Sequence, residues 1–482
     1  MKTCVSKLCC LVFLATLAHG TCGSCHDGHE HPVPKVQAAE MYRPTAMPDR
    51  IVLTWTGDPR TTQAVTWRTS TEVPVGKAEI AVASANPNFT QDARQVVANT
   101  QVLQTDINSA HFHTVEFTGL TPGTVYAYRV GDGTNWSEWF HFRTADDQPR
   151  PFSFIYFGDA QNNIRSMWSR VIREAHRDAP TAAFIIHAGD LINRAEADAE
   201  WGEWFGAGGW LNAMIPSVAV PGNHEYQKHL LGPRTLSQHW RPTFAFPQHG
   251  PPGTEETCYT LVYHNLRIIC LNSNELLEEQ ASWMEQVLAE NDSPWVVCTF
   301  HHPIFSAAKD RDNPHLRALW KPIFDKYRVD LVLQGHDHTY ARTGFDVPGI
   351  REKDQDTSAE AGVTADSAAD KNKEPLRLET VANVATGVQT IDAQAGTVYV
   401  VSVSGPKMYN NQRLPYMRRI AEDTQLYQII HVDGDTLRFE ARTAIGQLYD
   451  AFELHKQDGT INRLVEIDVD TPPQLRTTTS SR

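Results

Sequence analysis

Hydrophobic and polar positions follow three rhythms along the chain. Between about Arg50 and Thr144, short runs mix apolar with polar residues, often in alternation: RIVLTWT, AVTWRT, AEIAVA, HTVEFTGL, VYAYRV and EWFHFRT. They are rich in β-branched and aromatic residues, and turn sequences such as GDP, TPG and GDGT separate them. Residues 46–146 therefore read as a small antiparallel sandwich. From Pro151 onward, apolar strand-like runs alternate with helix-length segments, and helices are expected over 164–179, 278–291 and 314–327. This is the pattern of an α/β domain, here bounded at 150–455. Within it, residues 351–375 hold almost no large apolar side chain and read as a mobile insertion. LYQIIHVDGDTLRFEART reads as a late hairpin turning at Asp433-Gly434-Asp435, and residues 456–482 read as a tail.

The N-terminus changes the picture from a fold to a location. Lys2 and Lys7 precede an apolar run from Leu8 to Leu17, and Ala18 and Gly20 are the small residues that a signal peptidase reads. Residues 1–20 are expected to be a signal peptide, so the protein is expected to be secreted or periplasmic. The run is too short to span a membrane, and no transmembrane segment is expected elsewhere. Residues 21–45 form a leader that crowds Cys22, Cys25, His26, His29 and His31 together. Cys-x-x-Cys-His is a haem-attachment pattern, but no cytochrome-like helices follow. A metal-scavenging tail and a plain exported leader both remain open. Cys258 and Cys270 flank two strand-like runs around His264-Asn265, where a disulfide or two buried thiols would fit.

Length and charge add bounds. The chain has 482 residues, 41% apolar and 21% charged, which suits a soluble protein of two or three domains. Its net charge of -14 excludes holding a nucleic-acid duplex by general electrostatics. Any phosphate-bearing ligand must find a local positive centre.

Five apolar runs end in polar clusters that could supply one. FSFIYF ends in Gly158-Asp159, and AAFIIHA in Gly189-Asp190. SVAVP ends in Gly222-Asn223-His224-Glu225, WVVCTF in His301-His302-Pro303, and VDLVLQ in Gly335-His336-Asp337-His338. A strand followed by glycine and a ligand-type residue places that side chain at the carboxyl end of a sheet, where α/β folds bind their ligands. Carboxylates, an amide oxygen and imidazoles together suit Zn, Mn or Fe. Each cluster alone is an ordinary turn; five in one domain point to a metal site.

The order GD, GD, GNHE, H-x-P, GHxH resembles that of the calcineurin-like metallophosphoesterases. With a fibronectin type III-like domain in front, it looks most like the purple acid phosphatases and their bacterial relatives. The resemblance covers roughly Arg50 to Asp346, and more loosely Gly396 to Leu454. It implies an all-β N-terminal sandwich followed by an α/β/β/α-type metallophosphoesterase domain. It implies two metal ions, divalent Fe, Mn or Zn, acting on a small phosphate ester. Monoester hydrolysis is the favoured activity, with diester or nucleotide cleavage and a non-catalytic metal-binding protein as alternatives. Carried across, the resemblance makes Asp190 the bridging ligand, with Asp159 and His338 on one metal and Asn223, His301 and His336 on the other. His224 would act on the substrate, with Glu225 orienting it, and His302 is set aside as a ligand. Two departures stand out. Asn193 occupies the place of the family's tyrosine ligand, and Gln161 that of a histidine found in other metallophosphoesterases; either amide is a candidate extra ligand. In place of the family's substrate histidines stand Lys309 and Arg311, candidate phosphate contacts. Without that tyrosinate, a colourless enzyme is expected.

Overall fold

The computed structural model describes residues 35–348 and 396–476. The expected signal peptide, most of the expected Cys/His leader and the expected insertion at 351–375 lie outside the described residues. Residues 35–37 fall in one unit, and the rest of the described chain, from Ala38 onward, in a second.

In that second unit, the sandwich has two four-stranded antiparallel sheets. One orders Asp49–Thr54, Gln63–Thr69, Ser109–Phe117 and Asn99–Gln104; the other orders Arg94–Val97, Lys77–Val82, Val125–Gly131 and Phe140–Arg143. Leu53, Val65, Trp67, Ile80, Val115, Tyr128 and Phe142 fill the space between them. The Thr121 N–H donates to the Tyr126 hydroxyl at 2.8 Å, a side chain tying its own strand to the preceding turn.

The α/β domain stacks two seven-stranded mixed sheets. The first orders Ser217–Ala219, Ile185–His187, Phe152–Phe157, Leu426–Asp433, Thr436–Thr443, Leu448–His455 and Arg463–Glu466. The second orders Tyr259–Tyr263, Leu266–Cys270, Trp295–Phe300, Leu331–Gln334, Val398–Val401, Tyr340–Thr343 and Met417–Ala421. Strand alternation sorts the side chains of the second sheet into two cores. Ile268, Val297, Leu331 and Leu333 face the core shared with the first sheet, while Ile269, Cys298 and Val332 meet Met284, Leu288, Trp320 and Phe324 of the helices Leu277–Ala289 and Pro314–Tyr327. The helices Ser169–Asp178 and Asp198–Gly208 cover the first sheet, giving an α/β/β/α stack.

Two expectations change. The C-terminal segment is not all tail, because Arg463–Glu466 pairs antiparallel with Leu448–His455 at the edge of the first sheet. The hairpin at His264-Asn265 forms as read, but its register pairs Cys270 with Tyr259. That single step puts Cys258 and Cys270 in different cores, and both are free, buried thiols.

Candidate metal centre

The strand ends meet. Asp159 follows Phe152–Phe157, Asp190 follows Ile185–His187 and Asn223 follows Ser217–Ala219, three parallel strands of the first sheet. His301 follows Trp295–Phe300, and His336 and His338 follow the parallel strand Leu331–Gln334 of the second. All six side chains are buried. The glycines are there for close approach: a Cβ on Gly335 would run into Asp159 Oδ1, and one on Gly222 into Asp190. Asp190 and His336 themselves take left-handed backbone, at φ 53° and 69°. That conformation costs non-glycine residues roughly 1–3 kcal/mol and persists only where surroundings enforce it.

Donor atoms converge from both sheets. His336 Nδ1 lies 2.8 Å from Asn223 Oδ1 and 3.1 Å from His301 Nε2. His301 Nε2 lies 3.1 Å from Asn223 Oδ1 and 3.3 Å from Asp190 Oδ2. On the other side, His338 Nε2 lies 3.3 Å from Asp159 Oδ2. Backbone groups aim the carboxylates: His336 N–H donates to Asp159 Oδ1 at 2.7 Å, and His224 N–H to Asp190 Oδ1 at 2.9 Å. The far nitrogens of two rings are held by carbonyls, Nδ1 of His301 by Ala188 O at 2.9 Å and Nδ1 of His338 by Lys407 O at 3.0 Å. Since a carbonyl only accepts, those nitrogens carry the proton and Nε2 is left facing the centre.

The electrostatics record a site short of positive charge. Burial and the neighbouring Asp190 charge raise the Asp159 carboxyl to about 7. Burial alone would raise Asp190 too, but the charges of His301 and His224 outweigh it and hold Asp190 below the usual range. Burial opposes protonation of His301, yet Asp190 and Asp159 lift it to about 9. Burial, then the other rings and Arg311, push His336 far down. Asp159 Oδ2 is buried with no hydrogen-bond donor. An orphaned carboxylate oxygen, and two ring nitrogens crowded on one amide oxygen, are a donor set that fits cations. Asp159, Asp190 and His301 can share one ion, and His301, His302 and His336 also present nitrogens within 4.8 Å of one another.

The remaining candidates divide. Gln161 is buried in the cluster, but its amide nitrogen faces inward, 2.7 Å from Asp190 Oδ2 and 3.2 Å from His338 Nε2. Asn193 reaches the site through its backbone: its carbonyl accepts from His224 Nδ1 at 2.5 Å. His224 is partly open, with Nε2 4.0 Å from Asp190 Oδ2. Glu225 does not orient His224; its carboxylate accepts from Asp190, Leu191 and Gly222 N–H at 2.8, 2.8 and 2.7 Å and so fixes the Asp190 loop. Arg311 stands beside the site, 3.3 Å from both His336 O and Asp337 Oδ1. Lys309 is exposed and joins only through its backbone, which donates to Asn410 O at 2.8 Å. Sequence reasoning missed Lys407 and Tyr409. The Tyr409 ring lies 4.7 Å from that of His338, with Arg311 at 4.7 Å and Lys407 at 5.4 Å over it. The signal was present: GTVYVVSVSG is another apolar run ending in glycine.

The fold and donor set are those of a metallophosphoesterase. Residues 48–144 match the family model of the purple acid phosphatase N-terminal domain, and residues 152–340 that of the calcineurin-like phosphoesterases. Together the two matches cover more than half of the chain, which belongs to the calcineurin-like phosphoesterases of the purple acid phosphatase-like type. It is 29% identical over 330 residues to an uncharacterised protein of Mycobacterium tuberculosis, a match covering 59% of this chain and 60% of that protein. It is 26% identical over 343 residues to acid phosphatase type 7 of Mus musculus, covering 64% and 73%. The solved purple acid phosphatase from yellow lupin (Lupinus luteus) seeds shares the fold, with a TM-score of 0.63 at 18% identity over 86% of this chain and 75% of that one.

Proposed function

We propose that this protein is an exported, two-metal phosphatase that hydrolyses phosphate monoesters. The observation that carries the reading is the convergence of Asp159, Asp190, Asn223, His301, His336 and His338 at the carboxyl ends of five strands. Asp190, whose Oδ2 lies 3.3 Å from His301 Nε2, would be shared by both ions. Asp159 and His338 would complete one position; Asn223, His301 and His336 the other. Bound there, two divalent ions supply Lewis-acid charge to a phosphoryl oxygen and make a water more acidic. The chain's own groups do the rest. The His224 backbone holds Asp190 in place, and its ring, open to the cleft, presents Nε2 to the leaving oxygen. Arg311 brings a cation to the His336 side, where a phosphate oxygen is to be held. Such charge also answers how a chain of net charge -14 handles an anion. Export rests on residues 1–20, and the mouse acid phosphatase makes phosphate esters the natural first substrates.

The test is turnover of an aryl phosphate monoester and an aryl diester, with and without chelator. Monoester turnover that chelator removes supports the reading; turnover of the diester alone overturns it. With Asn193 where a tyrosinate would stand, the ions are expected to be divalent and the protein colourless. A strong visible band in protein carrying its native metals would contradict that.

A further inference from the structure

His224 is held by a peptide group, and that peptide is held by a carboxylate. The Asn193 carbonyl accepts from His224 Nδ1 at 2.5 Å. The N–H of the same peptide plane belongs to Arg194, and it donates to Glu200 Oε2 at 2.8 Å. In a trans peptide the C=O and N–H point in opposite directions. Glu200 therefore grips one edge of the plane while His224 sits on the other. Glu200 Oε2 also accepts from Asn193 N–H at 2.7 Å, and Oε1 accepts from Arg194 Nε at 2.7 Å. A charged acceptor on the N–H polarises the amide and makes its carbonyl a stronger acceptor.

The carboxylate has a firm footing. Glu200 lies in the first turn of the helix Asp198–Gly208. Two residues earlier, Asp198 receives Arg50 of the sandwich, with Nη1 to Oδ1 at 2.6 Å and Nη2 to Oδ2 at 2.9 Å. At its other end the loop is fixed by Glu225 on the Asp190 and Leu191 N–H groups.

We propose that Glu200 is a positioning residue for His224, acting through the Asn193–Arg194 peptide. The arrangement keeps one proton on Nδ1, so that the second proton of the imidazolium would sit on Nε2, aimed at the leaving oxygen, and its donation would leave a neutral ring still bonded to the Asn193 carbonyl. It does for a histidine, through one amide, what a directly bonded carboxylate does elsewhere. The inference rests on the phosphatase reading given above.

The experiment uses Glu200→Ala and Glu200→Gln in the full-length, metal-loaded protein, each also combined with His224→Ala. Two substrates are compared, an alkyl phosphate and a nitrophenyl phosphate. General acid catalysis is worth about 10² to 10⁴ in rate, so His224→Ala should lose that much on the alkyl ester. Glu200→Ala should lose roughly 10-fold in kcat on the alkyl ester, with KM little changed, and less on the nitrophenyl ester, whose leaving group needs no proton. Glu200→Gln should fall between. In the His224→Ala background, removing Glu200 should cost almost nothing more. Equal losses in both backgrounds, equal losses on both esters, or loss of metal from Glu200→Gln would overturn the proposal. A wild-type protein that turns over neither ester would fail the phosphatase reading itself. The Nδ1–H proton resonance of His224 still tests the link in that case: it should move upfield in Glu200→Gln, and an unmoved resonance contradicts it.

Discussion

His113 in the sandwich and His336 in the α/β domain are both buried rings, yet they are buried in opposite ways. His113 has a hydroxyl for each nitrogen, Thr69 Oγ1 at 2.7 Å from Nε2 and Thr100 Oγ1 at 2.8 Å from Nδ1, and it stacks 5.2 Å from Trp67. A hydroxyl can donate or accept, so the neutral ring is complete without any ligand. Burial and the His111 charge push it down to about 4. His336 turns Nδ1 toward Asn223 Oδ1 and His301 Nε2 together, with no hydroxyl among the three to donate or accept as needed, so their lone pairs compete for too few hydrogens. Burial of a histidine is thus no mark of function. Convergence of acceptors without donors is.

The sharpest way to break that contrast is to remove the shared carboxylate. Asp190→Ala should empty or separate both metal positions and cut turnover on the order of 10³-fold or more, since the metals carry the charge stabilisation. His113→Ala should leave metal content and kcat as they were. Elemental analysis beside kinetics checks both, and an Asp190→Ala protein with two metals and near-normal turnover would remove Asp190 from its role.

The next effect lies where the two regions are joined. Arg50 and Asp198 are 3% and 0% exposed and pair at 2.6 Å. His239 adds Nε2 at 3.4 Å and Arg68 a second cation at 3.5 Å. Arg50→Met leaves part of that buried charge unmatched and should cost about 3–5 kcal/mol in denaturant unfolding. A cost under about 1 kcal/mol would mean that the junction is solvated and adds little.

His187 supplies a third, smaller case, buried with neither nitrogen hydrogen-bonded. It lies among Phe157, Trp168 and Trp204, and burial lowers it to about 3. The unfolded ring takes a proton near its ordinary 6.5; the folded ring resists. Its contribution to stability is therefore intact above pH 6.5 and lost as pH falls from there toward 3, by up to about 1.4 kcal/mol per pH unit. Between pH 7.5 and 5, the wild type should lose about 2 kcal/mol more than His187→Phe. Parallel losses would show that the ring already has a water or another partner.

Legibility in the sequence followed distance along the chain. Asp159, Asp190, Asn223 and the three histidines could be read because each stands within a few residues of its own strand, and the strand-glycine-ligand pattern is local. The sandwich could be read from period-two alternation. Arg50 and Asp198 could not be paired, being 148 residues apart with nothing in either segment naming the other. Glu200 looks like any acidic residue in a helix's first turn, and its grip on the Arg194 N–H depends on how the loop folds back. Lys407 and Tyr409 follow an apolar run ending in Gly405, which marks a strand end, but no ligand-type residue stands there to single them out; their meeting with His338 and Arg311 in space does so. Arg463–Glu466 read as tail because four residues at a sheet edge, exposed at both ends and only half-buried between, leave little hydrophobic signal.

The central claim is that the six converging donors hold two metal ions that carry the chemistry. Its most direct test is metal stoichiometry measured with aryl phosphate turnover, before chelation, after it, and after readdition of Mn or Zn. The account predicts two ions per chain, loss of turnover with the ions, and recovery on readdition. Undiminished turnover by protein stripped of metal would contradict it.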